Sequence, residues 1–208
     1  MESENTHQIA VFDINGTLYQ KSSKEEFFKY ICFKKDYKLL NILQLVIFKL
    51  IGKARLINQT EFKENFFNYL DNLPPQKVQK YAREYWSIEF PQYFNKKLMN
   101  RVEELKKEGV QIICISGGLD VYMKPLFEDF KVDHHFCTQT TYTKNTYKIK
   151  GEACKGKEKI KRLNEHFNGK KYNIVEAYSD DPEDILDHAD RAFLVSSEGS
   201  ISPYNGKK

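Results

Sequence analysis

No internal repeat, low-complexity tract or glycine- and serine-rich linker interrupts the 208 residues. A solenoid and a string of tethered domains are therefore excluded. Cysteine is scarce, and Cys32, Cys114, Cys137 and Cys154 form no CxxC pair. Cys32 and Cys114 sit in apolar periodic segments, where a reduced thiol behaves as a small hydrophobe, so a reducing compartment is expected. The amino-terminal MESENTHQ is polar and lacks the apolar centre of a secretory signal, which gives the expectation of a cytoplasmic protein. Runs of one charge are missing too. The net charge of +4 is spread along the chain, so no nucleic-acid partner is expected.

Long apolar runs are also absent. Leu39 to Ile51 (LLNILQLVIFKLI) carries Asn41, Gln44 and Lys49 and is shorter than the roughly 20 residues of a spanning helix. It reads as a helix buried on most sides, in a core or a dimer seam. The alternative is a peripheral membrane contact over 39–51, with Lys34, Lys35, Lys38, Lys53 and Arg55 on anionic or lipid-phosphate surface.

What is present describes a soluble globular chain. Hydrophobic residues make up 40% and charged residues 30%, enough for one core plus an accessory piece at this length. IAVFD reads as a fully buried strand ended by Gly16. From Lys21 to Asn95 the pattern is helical, as in SKEEFFKYICF, TEFKENFFNYL and PQKVQKYAREYW, with Pro74-Pro75 as a break. This stretch holds thirteen Lys and Arg against eight Asp and Glu, so the positive charge is concentrated there.

Strands and helices then alternate. NKKLMNRVEELKKEG reads as a helix stopped by Gly109, VQIICIS as a strand, Gly117-Gly118 as a turn opening a helix through VYMKPLFEDF, and HHFCT as a strand. TTYTKNTYKI reads as a hairpin turning at Lys144-Asn145, KGKEKIKRLNEHF as a helix, YNIVEAYSD as a strand, PEDILDHA as a helix starting at Pro182, and RAFLVS as a last strand. The expected fold class is α/β: a Rossmann-like, doubly wound, mostly parallel sheet over residues 1–20 and 96–208, with an inserted all-α cap over 21–95.

In such a sheet the carboxyl ends of the strands face one crevice. Polar groups that do not belong in a core stand at four of these ends: Asp13-Asn15-Thr17, Ser116-Gly117-Gly118, the lysines near Cys154, and Asp180-Asp181-Asp184. A strand-end carboxylate can attack phosphorus and form an aspartyl-phosphate, and Asp13 suits that role. Asp180 and Asp184 supply acids for a cation such as Mg²⁺. The Ser116 hydroxyl with the N–H groups of Gly117 and Gly118 would bind phosphate oxygens, and a lysine would neutralise the remaining charge. His134 and His135 fit no tetrahedral metal pattern, and His166 and His188 gain no catalytic role.

The segments FDINGTL, CISGG, CKGKEKI and AYSDDPED, in that order, resemble the four motifs of the haloacid dehalogenase superfamily, and among its branches the phosphoserine phosphatase-like one with a helical cap after the first motif. The resemblance implies a Mg²⁺-dependent phosphatase acting on a small-molecule phosphomonoester. Asp13 would be nucleophile and metal ligand, the Asn15 carbonyl and Asp180 further ligands, and Asp184 a supporting acid. Ser116 would bind phosphate. CxGxxK selects Lys159 as the active-site lysine, whereas a Lys-Gly reading selects Lys155, with Lys157 between them; Lys159 is favoured.

Phosphatases of the superfamily usually carry an aspartate where this chain has Asn15, and that acid protonates the leaving oxygen and activates water. An amide exchanges no proton in this range, so about 10²–10⁴-fold of acid–base help is missing. Three explanations stay open: an inactivating change at position 15, a substrate with a good leaving group or a phosphotransfer reaction, or phosphate binding without turnover. A metal-free dehalogenase is a further alternative, against which Asp180 and Asp184 argue. Phosphoserine-specific relatives hold the substrate's amino group with an acid shortly after the first motif, while here Tyr19 to Ser23 offers none before Glu25. Arg55 and Lys53 are candidates to meet an anionic substrate.

Overall fold

A computed structural model of the chain describes residues 6–34 and 67–206. The Leu39 to Ile51 segment and its neighbours Lys35, Lys38, Lys53 and Arg55 lie outside the described residues. Strands β1 (His7–Asp13), β2 (Gln111–Leu119), β3 (His134–Thr138), β6 (Tyr172–Ser179), β7 (Ala189–Val195) and β8 (Ile201–Pro203) form one sheet in the order β3-β2-β1-β6-β7-β8. All neighbours pair in parallel except β7 and β8. The expected mostly parallel, doubly wound sheet is what forms.

The central strands β1, β2 and β6 are largely buried on both faces, which is why they read as near-continuous apolar runs. Ile9 and Val11 enter one layer with Leu163, Phe167 and Ile185, while Ala10 and Phe12 enter the other with Leu98, Val102 and Leu105. The period-2 alternation of β1 thus sets both cores. Helix α3 (Lys96–Lys107) covers one face, and α6 (Lys157–Phe167) with the short α7 (Asp184–Asp187) covers the other. Among the described residues, no helix is long and apolar enough to cross a membrane.

Helices α1 (Ser23–Lys34) and α2 (Pro75–Glu89) occupy the described parts of the insert. Pro75 begins α2, where a missing N–H costs nothing. The chain leaves the sheet beside the place where it returns: Gln20 N–H donates to Tyr93 O (3.0 Å) and Asn95 N–H to Leu18 O (2.8 Å). Phe27, Tyr85, Trp86 and Tyr122 continue the sheet's own core without a break. The hairpin of β4 (Thr140–Thr143) and β5 (Thr146–Ile149) turns at Lys144-Asn145, both at positive φ, as its sequence predicts.

Three local expectations need correction, and one strand was not expected. Gly117-Gly118 is not a turn but the distal part of β2, whose register against β3 shifts between Ser116 and Leu119. The helix expected through VYMKPLFEDF is two four-residue pieces, α4 (Asp120–Met123) and α5 (Leu126–Asp129). Pro125 has no N–H to continue the ladder. The helix expected from Pro182 starts only at Asp184, because Glu183 is extended (φ −132°, ψ 154°). The edge strand β8, three residues long, gave no periodic signal.

Candidate active site

Strand β1 delivers Asp13 to the carboxyl edge of the sheet, where a cavity of about 570 Å³ opens. The Asp13 carboxylate is held from two sides: Ile14 N–H donates to Oδ1 (2.5 Å), and Lys159 Nζ lies 2.6 Å from Oδ2. Lys159 comes from the first turn of α6 and is only 2% exposed. Burial opposes its charge, but Asp13 and Glu183 together hold the ammonium above its usual range. The Lys155 alternative lines the cavity without contacting Asp13, and Lys157 is exposed and outside the lining.

Glu183 is the residue that sequence reasoning missed. Its carboxylate takes a hydrogen bond from Lys159 Nζ, so one buried lysine bridges Glu183 and Asp13. Burial pushes the Glu183 carboxyl up in spite of that ammonium. The one available signal was an acid between Asp180 and Asp184, disguised by its place in an expected helix.

Asp180 and Asp181 follow β6 into the same cavity. Desolvation at the cavity wall, then the charges of Asp13 and Asp181, push the Asp180 carboxyl up to about 6. Gly16, at φ +73°, lets the backbone approach Asp180: a Cβ there would meet Asp180 Oδ2 at 2.3 Å. Asp184 is not part of the lining; its Oδ2 lies 3.4 Å from the Cβ position of Gly156. No group of three His, Cys, Asp or Glu side chains among the described residues forms a ready-made metal cluster. The crowded carboxylates of Asp13, Asp180 and Asp181 are an oxygen-only donor set, which suits a hard cation that keeps several waters.

Ser116 is fully buried and stands behind the cavity wall, while Gly117 and Gly118 line it. Ser116 Oγ accepts from Asn15 Nδ2 (3.1 Å) and from Gly118 N–H (3.1 Å), so the Gly118 amide expected to meet phosphate is already engaged. Asn15 is held at its other end by Ser23 N–H, which donates to Oδ1 (2.8 Å). Thr138, also buried, donates to Gly117 O (2.9 Å) and accepts from Cys154 N–H (3.0 Å), tying the loop before Lys159 to the end of β2. The lining also includes Gln20, Lys21, Ser22, Lys24 and Phe67. Lys21 there pairs with Glu89 (2.8 Å).

No curated protein matches the chain. Among solved structures, a protein of unknown function from Bordetella pertussis Tohama I is similar with a TM-score of 0.79 at 16% identity, over 92% of this chain and 91% of that one. A phosphoserine phosphohydrolase-like protein from Francisella tularensis subsp. tularensis SCHU S4 aligns at 0.64 and 18%, over 90% and 87%. A phosphoserine phosphatase described as a phospho-aspartyl intermediate analogue aligns at 0.61 and 18%, over 92% and 87%. At these identities the likeness speaks for the fold. The family model described as haloacid dehalogenase-like hydrolase matches residues 10–186, a span that runs from β1 through Asp13, Ser116, Lys159 and Asp180. The chain therefore belongs to the haloacid dehalogenase-like hydrolase family.

Proposed function

We propose that the protein is a Mg²⁺-dependent phosphomonoester hydrolase working through an aspartyl-phosphate on Asp13, and that Asn15 makes its turnover slow. The observation that carries this reading is the Asp13 carboxylate, fixed between Ile14 N–H and the buried Lys159 and facing the cavity. Asp13, the Asn15 carbonyl and Asp180 would hold the cation, with Asp184 supporting it from α7. Bound there, Mg²⁺ neutralises charge on the phosphoryl oxygens.

A carboxylate oxygen of Asp13 attacks phosphorus, the bond from phosphorus to the leaving oxygen breaks, that oxygen takes its proton from solvent, and Lys159 balances charge beside the new acyl phosphate. Water then attacks phosphorus, the bond to Asp13 breaks to give back its carboxylate, and phosphate departs with the water's oxygen, the water's proton passing to the phosphate or to solvent. Asn15 cannot donate a proton to the leaving oxygen in the first step, and it cannot accept one from the attacking water in the second. Both steps suffer: the first lacks a proton donor for an alkoxide leaving group, and the second, although the Asp13 carboxylate leaves readily, lacks a base for the attacking water. The residues at 21–95 would act as a cap, and the stretch Tyr19 to Ser23 offers no acid to an ammonium group. The organic part of the substrate is accordingly one without a free amine, in contrast to phosphoserine.

A second reading, phosphate binding without turnover, is favoured by one specific feature: both ends of the Asn15 amide are engaged, toward Ser116 and Ser23. Phosphate release from 4-nitrophenyl phosphate separates the readings. Release is expected with Mg²⁺, lost with excess EDTA and reduced to background by Asp13→Ala. Release without metal, or surviving Asp13→Ala, overturns the hydrolase reading.

A further inference from the structure

Two kinds of side chain line the cavity. Asp13, Lys159, Asp180 and Asp181 are charged, whereas Phe67 and Tyr122 are aromatic. A short chain of contacts ties the aromatic pair to Asn15: Asn15 Oδ1 accepts from Ser23 N–H (2.8 Å), Ser23 Oγ lies 3.3 Å from the Tyr122 hydroxyl, and the Tyr122 and Phe67 rings are 5.8 Å apart. Phe27 stacks against Tyr122 at 5.0 Å. Phe67 comes from a single helical turn, Phe67–Leu70, and the chain just after it is held by the β4–β5 hairpin. There Asn72 N–H donates to Asn145 O (2.8 Å) and the Tyr147 hydroxyl to Leu73 O (2.9 Å). An aromatic wall anchored in this way needs little ordering when a ligand arrives.

A general acid works within hydrogen-bond reach of the leaving oxygen, so the group carried by that oxygen lies on the Asn15 side of the cavity, toward Phe67 and Tyr122. Asn15 protonates nothing, and the oxygen has to depart as a stable anion. We infer that Phe67 is a specificity-determining residue and that the substrate is an aryl phosphomonoester, whose ring packs against Phe67 and Tyr122 and whose oxygen leaves as a phenolate. The inference rests on the hydrolase reading proposed above. In its first step an Asp13 carboxylate oxygen bonds to phosphorus, the aryl oxygen keeps the electron pair of the bond that breaks, and no proton is required until the phenolate reaches solvent. An aliphatic alkyl phosphate loses on both counts, having no ring for the wall and no stable anion to release. An acyl phosphate loses only the ring.

Three substrates separate the two features. 4-Nitrophenyl phosphate has a ring and releases a stable anion, benzyl phosphate has a ring but releases an alkoxide, and acetyl phosphate releases a stable anion without a ring. The readout is kcat/KM in Mg²⁺, which reports the step that forms the aspartyl-phosphate. Phe67→Ala should lower the ratio of 4-nitrophenyl to acetyl phosphate about tenfold. Phe67→Leu, which keeps apolar bulk without the ring, should lower it about threefold and carries the test should Phe67→Ala fold poorly. Asn15→Asp should raise the ratio of benzyl to 4-nitrophenyl phosphate by about 10²-fold, because only the alkoxide needs the acid. A ratio that neither Phe67 variant moves, or benzyl phosphate hydrolysed by the unaltered protein as fast as 4-nitrophenyl phosphate, overturns the inference. If release in those cases still depends on Asp13, the function stands and this inference alone falls. If none of the three substrates yields phosphate, both fall.

Discussion

At the scale of single residues, the site is a balance among buried charges. Lys159 offsets Asp13 and Glu183, whereas the Asp180 carboxyl, pushed up to about 6, has no such partner among the described residues. Gly16 is the residue that lets this crowding exist. Gly16→Ala would place a methyl group against Asp180 Oδ2 and force an L side chain into φ +73°. The expected cost is about 1–3 kcal/mol in denaturant unfolding, together with weaker Mg²⁺ binding. Unchanged stability would contradict the close approach. Asp13, Asn15, Lys159 and Asp180 were legible because each occupies a strand end or first helical turn in an ordered pattern. Glu183 was not, since its role depends on an extended backbone next to Pro182 that local propensity does not announce. The blocked position of Ser116 was also invisible, because it is set by Asn15 and Gly118 meeting it in space.

At the scale of elements, the long periodic helices and apolar strands were readable, and the failures cluster where a short polar or proline-bearing segment decides. Pro125 splits one expected helix, and Gly117-Gly118 extends a strand by a bulge that only the pairing with β3 reveals. Thr138, at the end of β3, links the Gly117 carbonyl to Cys154 N–H and so aligns the β2 end with the loop that precedes Lys159. Thr138→Val keeps the shape and deletes both hydrogen bonds. It should destabilise the protein by about 1–2 kcal/mol and weaken phosphate binding, read by denaturant unfolding and calorimetry. A variant indistinguishable in both would show that the two loops hold their places independently.

For the whole molecule, the mostly parallel sheet with both faces covered concentrates the polar strand ends in one cavity, and the two crossings into the insert are pinned side by side. The same arrangement fixes a pH dependence. Asp180 binds its proton more tightly in the folded protein than at its ordinary value of 3.8, so its ionisation destabilises the metal-free fold. That destabilisation is full above about pH 6, shrinks as pH falls through the interval, and vanishes below the unfolded value. A cation relieves the repulsion only where Asp180 is ionised. The rise in melting temperature given by Mg²⁺ should therefore be larger near pH 7.5 than near pH 5, and an increment independent of pH would place the metal elsewhere.

An Asp13 nucleophile whose acyl phosphate is hydrolysed slowly beside Asn15 for want of a base has a kinetic signature. 4-Nitrophenolate leaves without needing a proton, so formation of the aspartyl-phosphate should outrun its hydrolysis. Mixing the protein with 4-nitrophenyl phosphate and Mg²⁺ in a stopped-flow instrument should give a burst of about one equivalent of nitrophenolate per chain, then a slow linear phase. Asn15→Asp should accelerate the linear phase and diminish the burst, and Asp13→Ala should abolish both. Nitrophenolate release that is linear from the start, or that persists in Asp13→Ala, would contradict the account.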